Sequence, residues 1–74
     1  MISIEAEPFI AARKASNFSL EDAARACDVH RQTYSTREVD PRDFKLGELV
    51  DLYSVMNHSG RVLLKSAIGD LFLD

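Results

Sequence analysis

With one cysteine, this chain cannot staple itself: Cys27 excludes an intramolecular disulfide and offers no cysteine cluster for a structural zinc. No apolar run approaches the roughly 20 residues of a membrane span. The N-terminus lacks the basic region of a signal peptide and holds Glu5 and Glu7 there instead. The expectation is a soluble, cytoplasmic protein with no membrane partner. There is also no glycine-rich phosphate loop, no set of residues at metal-ligand spacing and no carboxylate pair suggesting a pocket. These gaps argue against an enzyme and against a cofactor, bound metal or small-molecule substrate. Repeats, low-complexity tracts and linkers are missing too, so residues 1–74 are expected to form a single domain. Positive charge is also short. Nine bases against twelve acids leave a formal net charge of −3. That balance disfavours an approach to phosphate, although net charge governs steering and solubility, not fold.

What is present suits a small helical globule. A hydrophobic share of 46% can fill a core, and 28% charged residues is ordinary, so disorder is not expected. A core of this size is marginal, and chains this short often lean on an oligomer. Charge is unevenly spread. Residues 13–45 hold seven bases (Arg13, Lys14, Arg25, Arg31, Arg37, Arg42, Lys45) against six acids, while both ends are acidic.

Hydrophobic spacing predicts helices along the chain. The first runs from about Glu7 to Ala15, with Pro8 in its first turn and Ser16 and Asn17 at its end. Arg13 and Lys14 suit the negative end of its dipole. The second has the clearest start: Ser19 can cap it, and Asp22 stands three residues on, a capping-box position. Leu20, Ala23, Ala24 and Cys27 then recur at i, i+3, i+4 and i+7, one apolar face. Arg25 stands one turn from Glu21 and suits an ion pair with it. A third helix spans about His30 to Val39 and is polar apart from Tyr34, so burial alone cannot hold it down. Asp40-Pro41 breaks the chain, and Phe44 and Leu46 can anchor the loop that follows. Leu49, Val50, Leu52, Tyr53 and Met56 form a fourth amphipathic face, with Asn57 to Gly60 as its exit. From Arg61 the 3–4 spacing favours another helix, although "RVLL" also fits a short strand. Gly69 weakens any long continuous helix there.

The informative pattern lies in residues 20–37. Two short helices crossing at a sharp angle need a small residue at the crossing, an apolar one after the turn, and a second apolar one five residues later. Ala24, Val29 and Tyr34 occupy those places. His30 to Thr33, with Ser35 and Thr36, then face outward on a helix sized for the major groove of B-DNA. Asp28 and Val29 mark the break between the two helices.

"FSLEDAARACDVHRQTYSTRE" followed by "DFKLGEL" resembles the Cro- and phage-repressor-like (XRE-type) helix-turn-helix proteins, over residues 9–57. The resemblance implies an all-α, compact bundle of about five helices, a lambda-repressor-like helix-turn-helix domain with its motif at about 20–39. It also implies a homodimer that binds a double-stranded DNA operator and regulates transcription in a bacterial cell or phage-infected host. Carried over residue by residue, Arg31, Gln32 and Thr36 fall where bases are read. Ser19, His30, Arg42 and Lys45 fall where phosphates are held. Several positions depart from the family pattern. Asp28 replaces the usual turn glycine, and aspartate tolerates the positive φ of that position at some cost. Leu20 replaces a glutamine that contacts phosphate, His30 the Ser or Thr that opens the second motif helix, and Lys45 a threonine cap. Arg37 stands where a hydrophobic residue is common.

The segment 61–74 is expected to close the core and to offer a dimer interface through Val62 to Leu73. Cys27 and His30 invite a metal reading, but zinc needs four ligands and Cys27 falls on an apolar face, which favours a buried thiol. A protein-interaction module on the same scaffold (an antirepressor, antitoxin or adaptor that does not bind DNA) is the alternative that the acidic ends, Leu20 and Asp28 support.

Overall fold

Helix starts in this chain are set mainly by side-chain oxygens that accept backbone N–H groups. The computed structural model describes residues 5–70, as five helices joined by tight turns. α1 spans Glu7–Ala15, with Pro8 in its first turn. α2 spans Leu20–Ala26. At its start Ser19 Oγ accepts the Asp22 N–H at 3.0 Å, and Asp22 Oδ2 accepts the Ser19 N–H at 3.0 Å, the full capping box. α3 spans Arg31–Val39 and starts without a side-chain cap, His30 supplying only its backbone. Asp40 then caps a 3₁₀ turn, Pro41–Asp43. α4 spans Leu46–Val55, and Glu48 Oε1 accepts the Lys45 N–H at 3.0 Å. α5 spans His58–Asp70, and Asn57 Oδ1 accepts the Gly60 N–H at 2.9 Å.

α1 and α2 end in the same way. Each is followed by a non-glycine residue in the left-handed region, Asn17 at φ 59° and Asp28 at φ 57°. Phe18 N–H reaches back to Arg13 O at 3.1 Å and Val29 N–H to Ala24 O at 3.0 Å. These are the six-residue closures of a Schellman cap, which reverses the chain within two residues. The positive φ foreseen at Asp28 is therefore present.

The helices are held by two main contacts, α1 against α5 and α2 against α3, with α4 bridging α2 and α5. The core is built from Phe9, Ala12, Ala23, Ala24, Cys27, Tyr34, Leu52, Met56, Leu64 and Ala67. Phe44 joins it from the loop, its ring 5.6 Å from Phe9 and 5.8 Å from Tyr34. The radius of gyration is 11.2 Å, the value of about 11 Å expected for a close-packed chain of this length.

Several details differ from the spacing-based reading. Leu46 opens α4 and is 78% exposed, so of the two expected anchors only Phe44 packs on the core, beside the buried Pro41. Val50 also faces outward, at 58% exposure. Asn57 to Gly60 is not an exit. Asn57 caps α5, and Gly60 lies inside it, because a Cβ there would collide with Ser16 Oγ and come within 3.0 Å of Ala12 O on α1. Arg61–Leu64 is helical, and the described residues contain no strand. Arg25 forms no ion pair with Glu21 among the described residues. Arg13 does more than complement a dipole, as described below. Leu64 and Ala67 of the C-terminal segment close the core, while Leu71, Phe72 and Leu73 lie outside the described residues. Among the described residues no helix is long and apolar enough to cross a membrane.

Candidate nucleic-acid interface

The expected turn geometry is reproduced at the residues that define it. Ala23 and Ala24 are fully enclosed, at 0% and 2% exposure, which lets α3 cross α2 closely. Val29 is half-buried against the core, and Tyr34 is 1% exposed. Tyr34 is the only buried apolar residue of α3. Its phenol is pushed well above the usual range, first by burial and then by its hydrogen bond with Glu38.

The opposite side of α3 is open. His30, Arg31, Gln32 and Thr36 are exposed, and Thr33 and Ser35 are half-buried. Among the described residues the side chains of His30, Arg31 and Gln32 make no hydrogen bond or ion pair within the protein. Their donors and acceptors remain available to a partner. Thr36 differs: its hydroxyl donates to Thr33 O at 2.7 Å, so its lone pairs and methyl are what it presents outward.

The four residues expected at phosphates sit around this face with unequal freedom. All are exposed. Ser19 uses its oxygen as an acceptor in the cap, which leaves the hydroxyl hydrogen to donate. The Lys45 side chain makes no hydrogen bond or ion pair among the described residues. Arg42 is occupied: Nε lies 3.1 Å from Asp40 Oδ1 and Nη2 3.2 Å from Asp40 Oδ2. This pair is solvent-exposed and therefore weak, but while it is closed the Asp40 carboxylate offsets the Arg42 charge and occupies two of its donors. Leu20 lies in a shallow groove with Ile10, Ser35 and Val39, an apolar neighbour to the face where the family resemblance implies a polar one. Glu21 and Asp28 share a second shallow groove with Arg25, His30 and Arg31, so acidic groups border the bases.

Two buried carboxylates were not foreseen. Glu38 on α3 is 5% exposed, and its Oε2 lies 2.7 Å from Arg13 Nε on α1. Arg13 is fixed in turn, since Nη1 donates to Phe18 O at 2.9 Å. Glu48 on α4 is 8% exposed, and its Oε1 accepts from Arg37 Nε of α3 at 3.1 Å. Burial pushes the Glu48 carboxyl up. The hydrogen bonds from the Lys45 N–H and Arg37 outweigh that and hold it below its ordinary value. Arg37, which stands where a hydrophobic residue is common, thus serves as a tie between α3 and α4.

Cys27 is buried, and its thiol donates to Glu48 O at 3.6 Å. Burial, then the nearby charges of Glu48 and Asp51, push the thiol up to about 11. Among the described residues no three His, Cys, Asp or Glu side chains converge on a point.

Five helices with α2 and α3 joined by a left-handed turn define a helix-turn-helix architecture with one polar, solvent-facing helix. No family model, curated protein or solved structure matches the chain.

Proposed function

We propose that this chain is a small sequence-specific, double-stranded DNA-binding regulator of transcription, a Cro/phage-repressor-like (XRE-type) protein of phage or bacterial origin. In this reading it acts as a homodimer in the cytoplasm of a bacterial cell or phage-infected host, without a catalytic step or cofactor. The observation that carries the reading is the division of α3. Tyr34 is sealed on one side, while Arg31, Gln32 and Thr36 stand exposed on the other. Arg31 suits the O6/N7 edge of guanine and Gln32 the N6/N7 edge of adenine, each as a bidentate pair. Ser19, His30 and Lys45 supply phosphate contacts, joined by Arg42 when Asp40 releases it.

Selection of duplexes from a randomised pool, followed by gel-shift titration at two salt concentrations, tests this. A defined sequence should emerge, and its affinity should fall steeply with salt as counterions are released. Arg31→Ala should then cost roughly 1–3 kcal/mol and relax preference at one base pair. Unchanged affinity and preference in that variant would mean Arg31 reads no base.

One observation favours a second reading, a protein-interaction module. Leu46 and Val50 are exposed beside an apolar groove between α4 and α5, lined also by Leu49, Tyr53 and Ile68. A pool that yields no sequence even at low salt, with a protein partner bound through this groove, would favour that reading.

A further inference from the structure

α3 poses a mechanical problem. A helix that reads base edges must hold its rotation about its own axis, and Tyr34 is the single buried apolar residue that α3 has to do so. One anchor fixes a helix in place but leaves it free to roll. With side chains, a helix has a radius of roughly 5–6 Å. A roll of about 20° therefore moves an outward side chain by ~2 Å, enough to break a hydrogen bond whose useful range is a few tenths of an ångström.

The two residues that follow one turn after Tyr34 supply what is missing. Arg37 and Glu38 are adjacent, so they leave the helix about 100° apart. They reach in different directions: Arg37 to Glu48 on α4 at 3.1 Å, Glu38 to Arg13 on α1 at 2.7 Å. Their charges are opposite, so neither can exchange partners with the other. Each partner is itself held by backbone, Arg13 through Phe18 O and Glu48 through the Lys45 N–H. Both ties are largely shielded from water, with side-chain exposures of 12% and 6% for the Arg13–Glu38 pair and 20% and 9% for the Arg37–Glu48 pair. Buried ion pairs are poor sources of net stability, and in some proteins they serve instead to enforce one geometry over its neighbours.

We propose that Arg37 and Glu38, through Glu48 and Arg13, set the roll of α3 and so act as positioning residues for base discrimination without touching DNA. The proposal rests on the DNA-binding reading for its consequence, but not for its geometry. Arg37 and Glu38 therefore belong to the specificity of the site, although a contact census of a DNA complex would omit them.

The test separates roll from stability. Replacing both partners of a buried pair by apolar residues of similar volume keeps packing while removing the tie. Arg13→Met combined with Glu38→Met is that variant, and Glu38→Gln alone is the milder one should the double variant fold poorly. Residual dipolar couplings of the α3 amides, referred to those of α1 and α4, read the roll directly in the protein without DNA. The expected result is a reoriented or broadened α3 in either variant. With the selected duplex, discrimination against a single-base change should fall roughly tenfold or more, while binding to random duplex and its salt slope stay as in the parent. Glu38→Asp in the Arg13 background should recover part of the discrimination. Couplings unchanged in Glu38→Gln overturn the positioning role whatever DNA does. A changed roll with unchanged discrimination overturns its link to base reading. A parent protein that selects no sequence refutes the DNA reading instead, and the couplings alone then decide whether the ties set the roll.

Discussion

Asp28 and Gly60 are each a residue whose neighbours would have preferred another. Asp28 holds φ at 57° with a β-carbon that crowds the following carbonyl. Gly60 sits in the first turn of α5, where alanine is the better helix former, because Ser16 and Ala12 leave no room for a Cβ. Exchanging them should move stability in opposite directions. Asp28→Gly relieves the left-handed cost against a looser unfolded chain, and should raise stability by up to about 1 kcal/mol. If the chain binds DNA as proposed, the substitution should also tighten that binding by removing a carboxylate from the groove beside Arg31. Gly60→Ala forces α1 and α5 apart and should cost about 1–3 kcal/mol despite the better helix propensity. Paired urea titrations read both signs, and a stabilised Gly60→Ala protein would contradict the close α1–α5 approach.

The legibility of single residues followed the range over which they act. Ser19, Asp22, Asp28 and Tyr34 were readable because each satisfies a rule written within five residues of itself. Glu38 was not, since its partner Arg13 is 25 positions away. Nothing local marks a glutamate on a polar helix as buried. Gly60 was misread as an exit because glycine after a polar pair is a common stop signal, and only the tertiary crossing reveals it as a contact point.

At the scale of elements, α3 is held from several sides. It has no N-terminal side-chain cap and one buried apolar residue, and it packs on α2 and is tied to α1 and α4 by ion pairs. That dependence has a pH signature through Glu48. Its carboxyl is held below the ordinary 4.5 in the folded protein. A depressed carboxylate contributes stability that is fully present above the unfolded value and is lost as pH falls through the folded one. Glu48→Gln should therefore be less stable than the parent at pH 7, and the difference should shrink from about pH 4.5 downward. Thermal midpoints of the two proteins across pH 2.5–7 check this; a gap that stays constant through acid would rule out the charged form as the source. The polar character of α3 was evident from its spacing, and so was its outward face. The means by which it is held was not, because ion pairs between helices leave no periodic trace in a sequence.

For the molecule as a whole, charge and surface pull in different directions. A net charge of −3 gives little long-range attraction to DNA. Of the bases proposed for phosphate contact, Arg42 is already paired with Asp40. In the DNA-binding reading a single copy would therefore have few phosphate contacts to make, and a second copy would double them. The dimer surface expected from the sequence was the apolar stretch from Val62 to Leu73. Val62 and Leu63 of that stretch are exposed, and Leu46 and Val50 of α4 add a second exposed apolar pair beside the α4–α5 groove. Sedimentation equilibrium of a Leu46→Asp, Val50→Asp double variant should show weakened self-association with the thermal midpoint of the monomer little changed, since both side chains are already exposed. Self-association that persists undiminished would place the interface elsewhere.

The sealed thiol of Cys27 has a practical consequence. It is the chain's one sulfhydryl, enclosed between α2 and α4 and directed at a backbone carbonyl. A disulfide reagent can reach it only when those helices part, and the opened form then reacts as an ordinary thiol. The labelling rate of unmodified protein, divided by that of a free cysteine, thus counts the fraction of time the bundle spends open. The same flask with and without added duplex DNA would show whether such a ligand shifts that fraction. The protein carries, in one native atom, a clock for its own opening.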